Sequence, residues 1–374
     1  MRKRITALFL LGMCLFTSPL PCRAAEILDK QLDLLDLQDI NTAIGQSQSA
    51  AAQGLNLETL VRQAVQGELT LSPETIMQAA ISSLAGEAAS LLSMMRHMIL
   101  LAVLGAIFKE LSASFKQKGV SELGFYVHYL VMLSILLSSF GIGLGLVQSL
   151  VDELCTFMLA AQPALTGLVT LGGNPTAAFA FAPVLLAAVN AIAFLIQRAL
   201  IPVITLVALL QIVNYLSERA MLEKLSALLR NGISWALRMT AVLFVAVLSL
   251  QRISAPAMNN AVTKTAKLAV NAIPIVGTVL TDTVDTVMVW AGAVRSGVMV
   301  AVVIALVVLC AAPLVKLAAF VLIYKATAAL IQPISDPRAV KAIDAAGTFA
   351  GLLLGAGAVV SIMFIFMVMI MLSV

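Results

Sequence analysis

The chain has 374 residues, of which 61% are apolar and only 11% charged, with a net charge of +4. A soluble globular chain carries about a quarter charged residues, so a mean hydropathy of +1.04 excludes an ordinary water-soluble domain and points to an all-α, polytopic helical membrane protein. The apolar runs do not alternate with polar residues, which excludes a transmembrane β-barrel.

The N-terminus reads as a secretory signal. Met1-Arg2-Lys3-Arg4 is basic, Ile5 to Phe16 is an apolar core too short for a comfortable span, and Pro19 and Pro21 precede Cys22-Arg23-Ala24. The expectation is a signal peptide over 1–24, cleaved after Ala24 or Ala25. Cys22 leaves a lipoprotein as one alternative, and an uncleaved signal anchor is another. Cys14 and Cys22 belong to this segment. Cys155 and Cys310 each lie inside an apolar run and read as packing residues rather than a disulfide.

Residues 25–90 hold nine of the nineteen acids and only two bases, Lys30 and Arg62. Leu57, Leu60, Val61, Ala64 and Val65 recur at helical spacing, and Ser72-Pro73-Glu74 is a helix start. The segment reads as a short acidic, helical, extracytoplasmic region that packs on the membrane domain or on a partner.

The membrane domain, 91–374, offers about eight candidate spans: 91–111, 124–148, 154–171, 176–196, 199–216, 233–250, 297–324 and 346–373. Gln162 and Pro163 weaken the third. The seventh, with Pro313 and Lys316, is one kinked helix or two short ones. Arg96 and His97 sit near one end of the first, where long side chains reach the headgroups. Cytoplasmic loops are enriched in Lys and Arg. With residue 25 outside, three base-bearing loops fall inside: Lys109, Lys116 and Lys118; Arg219, Lys224 and Arg230; Lys325, Arg338 and Lys341. Arg198, in a proposed outer turn, and the bases within 251–296 run against the rule.

Gly347, Gly351 and Gly355 share one helix face, as do Gly141 and Gly145; four-residue glycine spacing lets a neighbouring backbone approach closely. Both sets read as helix-packing faces. His97 and His128 lie far apart at span ends. The sequence has no phosphate-binding glycine loop, no metal-ligand cluster and no nucleophile–base pair. It calls for no cofactor, no metal and no nucleic-acid partner, and it does not read as an enzyme. The lipid bilayer is the partner that composition dictates.

The oddest stretch is 271–297. Pro274 and Gly277 mark a helix start. On the helix that follows, Thr278, Thr281, Asp282, Asp285 and Gly292 share one face, opposite Leu280, Val287 and Trp290. The nineteen residues 278–296 extend roughly 28 Å. Carboxylates facing lipid are costly, so the element reads either as a helix lying on the outer surface or as a re-entrant piece lining an aqueous cavity. The candidate cavity-lining or partner-contact residues are Pro274, Gly277, Thr278, Thr281, Asp282, Asp285 and Gly292.

Pro274-Ile275-Val276-Gly277 running into Thr281-Asp282-Thr283-Val284-Asp285-Thr286-Val287, behind a signal and an acidic exodomain, resembles the stage III sporulation protein AE family. The likeness covers nearly the whole chain and implies a specific role. Members sit in the mother-cell membrane around the forespore. They belong, with companion membrane proteins that include a separate ATPase, to a secretion-like channel or transport complex linking the two cells. A self-sufficient secondary transporter is the alternative reading, with Pro183, Pro202, Pro313 and Asp282 as the broken-helix and charged positions it would use.

Overall fold

The structure is a computed structural model. It describes residues 38–47, 50–66, 92–93, 95–107, 118–171, 175–215, 222–271 and 276–373, of which 50–51, 118–123, 125, 169–171, 175–182, 248, 250–271, 276–295 and 372–373 are described by backbone alone. The signal segment 1–24, the helix start at Ser72-Pro73-Glu74 and Pro274 lie outside the described residues.

Every regular element among the described residues is helical. Three short helices come first: α1 (Gln38–Gly45), α2 (Ala50–Gln53) and α3 (Leu57–Gln66). A short apolar helix, α4 (Met95–Ile107), follows. Then come α5 (Lys118–Leu171), α6 (Pro175–Leu195), α7 (Ile201–Asn214), α8 (Glu223–Asn271), α9 (Val276–Ile331) and α10 (Pro337–Ser373). A π-helical turn, Ile196–Leu200, joins α6 to α7 without a break. Among the described residues four stretches are long and apolar enough to cross a membrane: Tyr126–Leu168, Pro183–Asn214, Ser296–Ile331 and Pro337–Met371.

Two pairs of expected spans are therefore single helices. The turn expected at Asp152-Glu153 does not form, and 124–148 continues into 154–171 within the 54 residues of α5. No glycine or proline lies between Leu146 and Gln162, so nothing stops the helix, and two carboxylates alone do not. In the same way 176–196 and 199–216 are one run. Its polar pair Gln197-Arg198 is absorbed by the π turn, where the Ile201 N–H bonds back to the Ile196 carbonyl. Arg198 consequently lies within a helix and not in an outer loop. The seventh expected span is one helix through Pro313.

α5 and α10 both run antiparallel to α9, in a register fixed by close contacts. Ser139 on α5 meets Tyr324 on α9, and Gly143 faces Leu317. Gly357 on α10 lies where a Cβ would come 3.2 Å from Leu150 and 3.4 Å from Leu314. The largest core cluster gathers Leu150, Leu154, Leu309, Leu353 and Val360 along this axis. In lipid such packing rests on close side-chain contact and interhelical hydrogen bonds, because tails are as apolar as leucine.

One end of the bundle carries Lys325, Arg338 and Lys341, with a second cluster built on Tyr129, Ile212, Tyr324 and Ala342. At this end Asp336 caps α10, its Oδ1 accepting the Arg338 N–H at 2.9 Å, with Pro337 in the first helical position. The opposite end is covered by α1 and α3. Asn56 caps α3 by accepting the Glu58 N–H at 3.0 Å, and Asn41 on α1 accepts the Leu57 N–H at 2.8 Å. Ile40, Ile44, Leu57 and Val61 are buried in the same core as Leu154 and Val298. The helical spacing of Leu57, Val61 and Val65 thus serves docking on the bundle.

Candidate functional site

Residues 276–297 of the 271–297 stretch belong to α9, while Asn271 ends α8 and 272–275 lie outside the described residues. The helix starts at Val276 and continues to Ile331 over 56 residues, so the amphipathic part is a coaxial extension of the span that begins at Ser296. A flat surface helix or a re-entrant piece would each need a break near 296, and the backbone has none. Gly277, Thr278, Thr281, Asp282, Asp285 and Gly292 all lie on this helix, with their side chains outside the described residues.

The junction between extension and span is a built contact. A Cβ at Gly297 would lie 2.5 Å from Val65 Cγ2 and 3.4 Å from the Val61 carbonyl. The small residue lets α3 lie directly against α9 where the extension leaves the bundle. The N-terminal helices and the acidic extension therefore share one end of the molecule. Gly297 was not singled out from sequence; the signal was the small pair Ser296-Gly297 at the start of a span.

Of the glycines read as packing positions, Gly347 is tight: an added Cβ would sit 3.0 Å from Tyr324 Cβ and 3.3 Å from the Lys325 side chain. Gly355 has only Leu237 nearby, at 3.9 Å. Gly351, Gly141 and Gly145 have nothing within 4 Å of such an atom among the described residues. The physical reason is that a four-residue repeat drifts around a 3.6-residue helix, and the neighbours change along its length. Gly357, two positions past Gly355, is the residue where α5, α9 and α10 meet. Gly105 on α4 plays a similar part, since a Cβ there would overlap the His128 ring.

Polar groups inside the bundle are few and specific. Tyr324 and Ser139 share a buried 2.7 Å hydrogen bond. The Tyr129 hydroxyl donates to the Ile212 carbonyl at 3.1 Å. Lys325 Nζ lies 2.7 Å from Asp344 Oδ1 and donates to Thr348 Oγ1 at 2.8 Å. Farther along, Gln197 Nε2 donates to Asp152 Oδ1 at 2.6 Å, within the π turn. An open groove of about 540 Å³ between α8, α9 and α10 is lined by apolar side chains such as Phe244, Met299, Met363 and Phe366. Among the described residues no three His, Cys, Asp or Glu side chains come together to hold a metal ion. Cys155 and Cys310 are free thiols.

The arrangement is a multi-pass helical bundle with a docked N-terminal cap and an acidic helical extension. A family profile described as stage III sporulation protein AE matches residues 55–374. The chain belongs to that family. It is 30% identical over 301 residues to stage III sporulation protein AE of Bacillus subtilis (strain 168), covering 80% of this chain and 75% of the relative. No solved structure matches. The family name makes this a sporulation-related protein, and its four long apolar helices suggest a multi-pass membrane protein.

Proposed function

We propose that this chain is a non-enzymatic membrane component of a secretion-like channel or transport complex between mother cell and forespore, seated in the mother-cell membrane and served by a separate ATPase. The observation that carries the reading is the family membership of a chain built as a spanning bundle. The end bearing Lys325, Arg338 and Lys341 faces the cytoplasm in this reading, as the excess of bases in cytoplasmic loops requires. The cap of α1 and α3, together with the acidic extension of α9, then faces the space between the two membranes. Asp282 and Asp285 meet partner proteins there or line a polar path.

A second reading, a secondary transporter acting alone, is favoured by one observation. The Pro183–Asn214 stretch carries a π turn near its middle with Pro202 just beyond it, and π turns inside continuous helices are frequent at functional sites. One experiment separates the two. The purified chain in liposomes is tested for flux of small organic solutes, and crosslinked membranes of sporulating cells are tested for co-isolation of companion proteins. Co-isolation without flux by the chain alone supports the complex component. Flux without companions overturns it.

A further inference from the structure

The helix faces that look outward from this bundle are not alike. Within the apolar parts of α8, α10 and α7 the exposed residues include many large apolar ones: Val242, Leu243 and Val245; Ile362, Phe366 and Met369; Val203 and Leu206. Lipid tails demand that. The outward face of α5 differs. Ser134, Ser138, Gly141 and Gly145 are exposed, with Ile142 beside them, followed on the same face by exposed Gln148, Asp152 and Thr156; exposed Val131 and Leu159 bound the line. The spacings from Ser134 to Thr156 are four, three, four, three, four and four residues, which keeps these seven close to one line on a helix. From Ser134 to Thr156 the line runs about 33 Å, a bilayer core in length. It lies within the Tyr126–Leu168 spanning stretch.

Small and hydrogen-bonding residues on a spanning helix suit a second helix rather than lipid. Gly141 and Gly145, which meet nothing within 4 Å among the described residues, let another backbone come close, and Gln148 can hydrogen-bond to its own counterpart. The charges name the occupant. Asp152 is exposed and is held by Gln197, and the next residue, Arg198, is also exposed. Arg198 falls at the midpoint of the Pro183–Asn214 stretch, where an arginine in contact with lipid is costly. A patch bearing both an exposed acid and an exposed base complements itself, because a second copy offers Arg198 to Asp152 and Asp152 to Arg198. We infer that the Ser134–Thr156 face of α5, together with Arg198, is the surface on which two copies of this chain associate within the membrane.

Two measurements test this on the full chain in membranes. In a background with its four cysteines replaced by alanine, Gly145→Cys or Gln148→Cys should give disulfide-linked dimers on mild oxidation, while Ile362→Cys and Leu206→Cys should not. The absence of dimers at both stripe positions, or linkage instead to another protein, overturns the inference. The second measurement keeps the native cysteines and asks whether differently tagged copies co-purify. Asp152→Arg alone, or Arg198→Asp alone, places like charges across the contact and should lower self-association at least fivefold. Mixing the two variants places Arg against Asp at both crossings and should restore association. Unchanged association of either variant alone, or no recovery on mixing, overturns the inference.

Discussion

Tyr324 and Ser139 are 185 residues apart in sequence, yet their hydroxyls meet at 2.7 Å in the buried seam between α9 and α5. Tyr324→Phe keeps the ring and leaves the Ser139 hydroxyl with only the Leu136 carbonyl. The expected loss is about 1 kcal/mol, read as a lowered unfolding midpoint in detergent. Ser139→Ala should cost a similar amount. The double variant should cost less than the two together, since both remove one bond.

Gly357 and Gly351 should respond in opposite ways. Leucine at Gly357 must displace Leu150 and Leu314, and overpacking of this kind costs about 1–3 kcal/mol. Alanine at Gly351 meets nothing, and replacing a mid-helix glycine gains about 0.5–1 kcal/mol. Thermal stability of the purified variants checks both, and a destabilised Gly351→Ala would show that this face has a neighbour.

Gly297→Leu should lift α3 from α9 while leaving the bundle folded, because the Cβ would overlap Val65. Hydrogen exchange over 57–66 should rise by an order of magnitude or more, with exchange over 339–368 unchanged. Equal protection of α3 in variant and parent would place its anchor elsewhere.

Lys325→Met removes the ion pair with Asp344 and the bond to Thr348. Both charged side chains are about half exposed, at 42% and 52%, so the pair contributes under about 1 kcal/mol. Only a small shift in stability is expected, and a loss of several kcal/mol would mean that this end is drier than its exposure indicates.

Changing Asp282 and Asp285 together to asparagine keeps size and polarity but removes charge. If the extension meets partners through charge, the variant should accumulate normally and fail in spore formation, scored as heat-resistant spores. Normal spore yield with normal accumulation would remove these two residues from the functional site.

Helical class, spanning character and the docking face of α3 were legible in the sequence because each rests on composition or on 3.6-residue spacing. The number of crossings was not. Asp152-Glu153 and Gln197-Arg198 read as turns because charge inside an apolar run is costly in lipid, yet neither pair contains a breaker, and backbone hydrogen bonding carries the helix through both. The glycine faces were half legible. Spacing shows which glycines share a side but not whether a neighbour is there: among the described residues Gly347 and Gly357 have one at contact distance and Gly351 has none, and Gly357 falls outside the four-residue series. The polarity of 278–296 was plain, but its being coaxial with the following span depends on what Ser296-Gly297 does, and a small pair can bend a helix or accept a neighbour.

The unbroken run of α9 has a mechanical consequence. Its 56 residues make a rod about 84 Å long, and a hydrocarbon core accounts for only about 30 Å of it. The tip near residue 276 is therefore held at a height set by residue count, as on a ruler. Inserting one heptad into the extension would raise that tip by about 10 Å while turning its face by only about 20°. Inserting two residues would raise it by about 3 Å and swing the face by about 200°. A pair of membranes bridged through this tip would feel the first change as a wider gap and the second as a lost handshake.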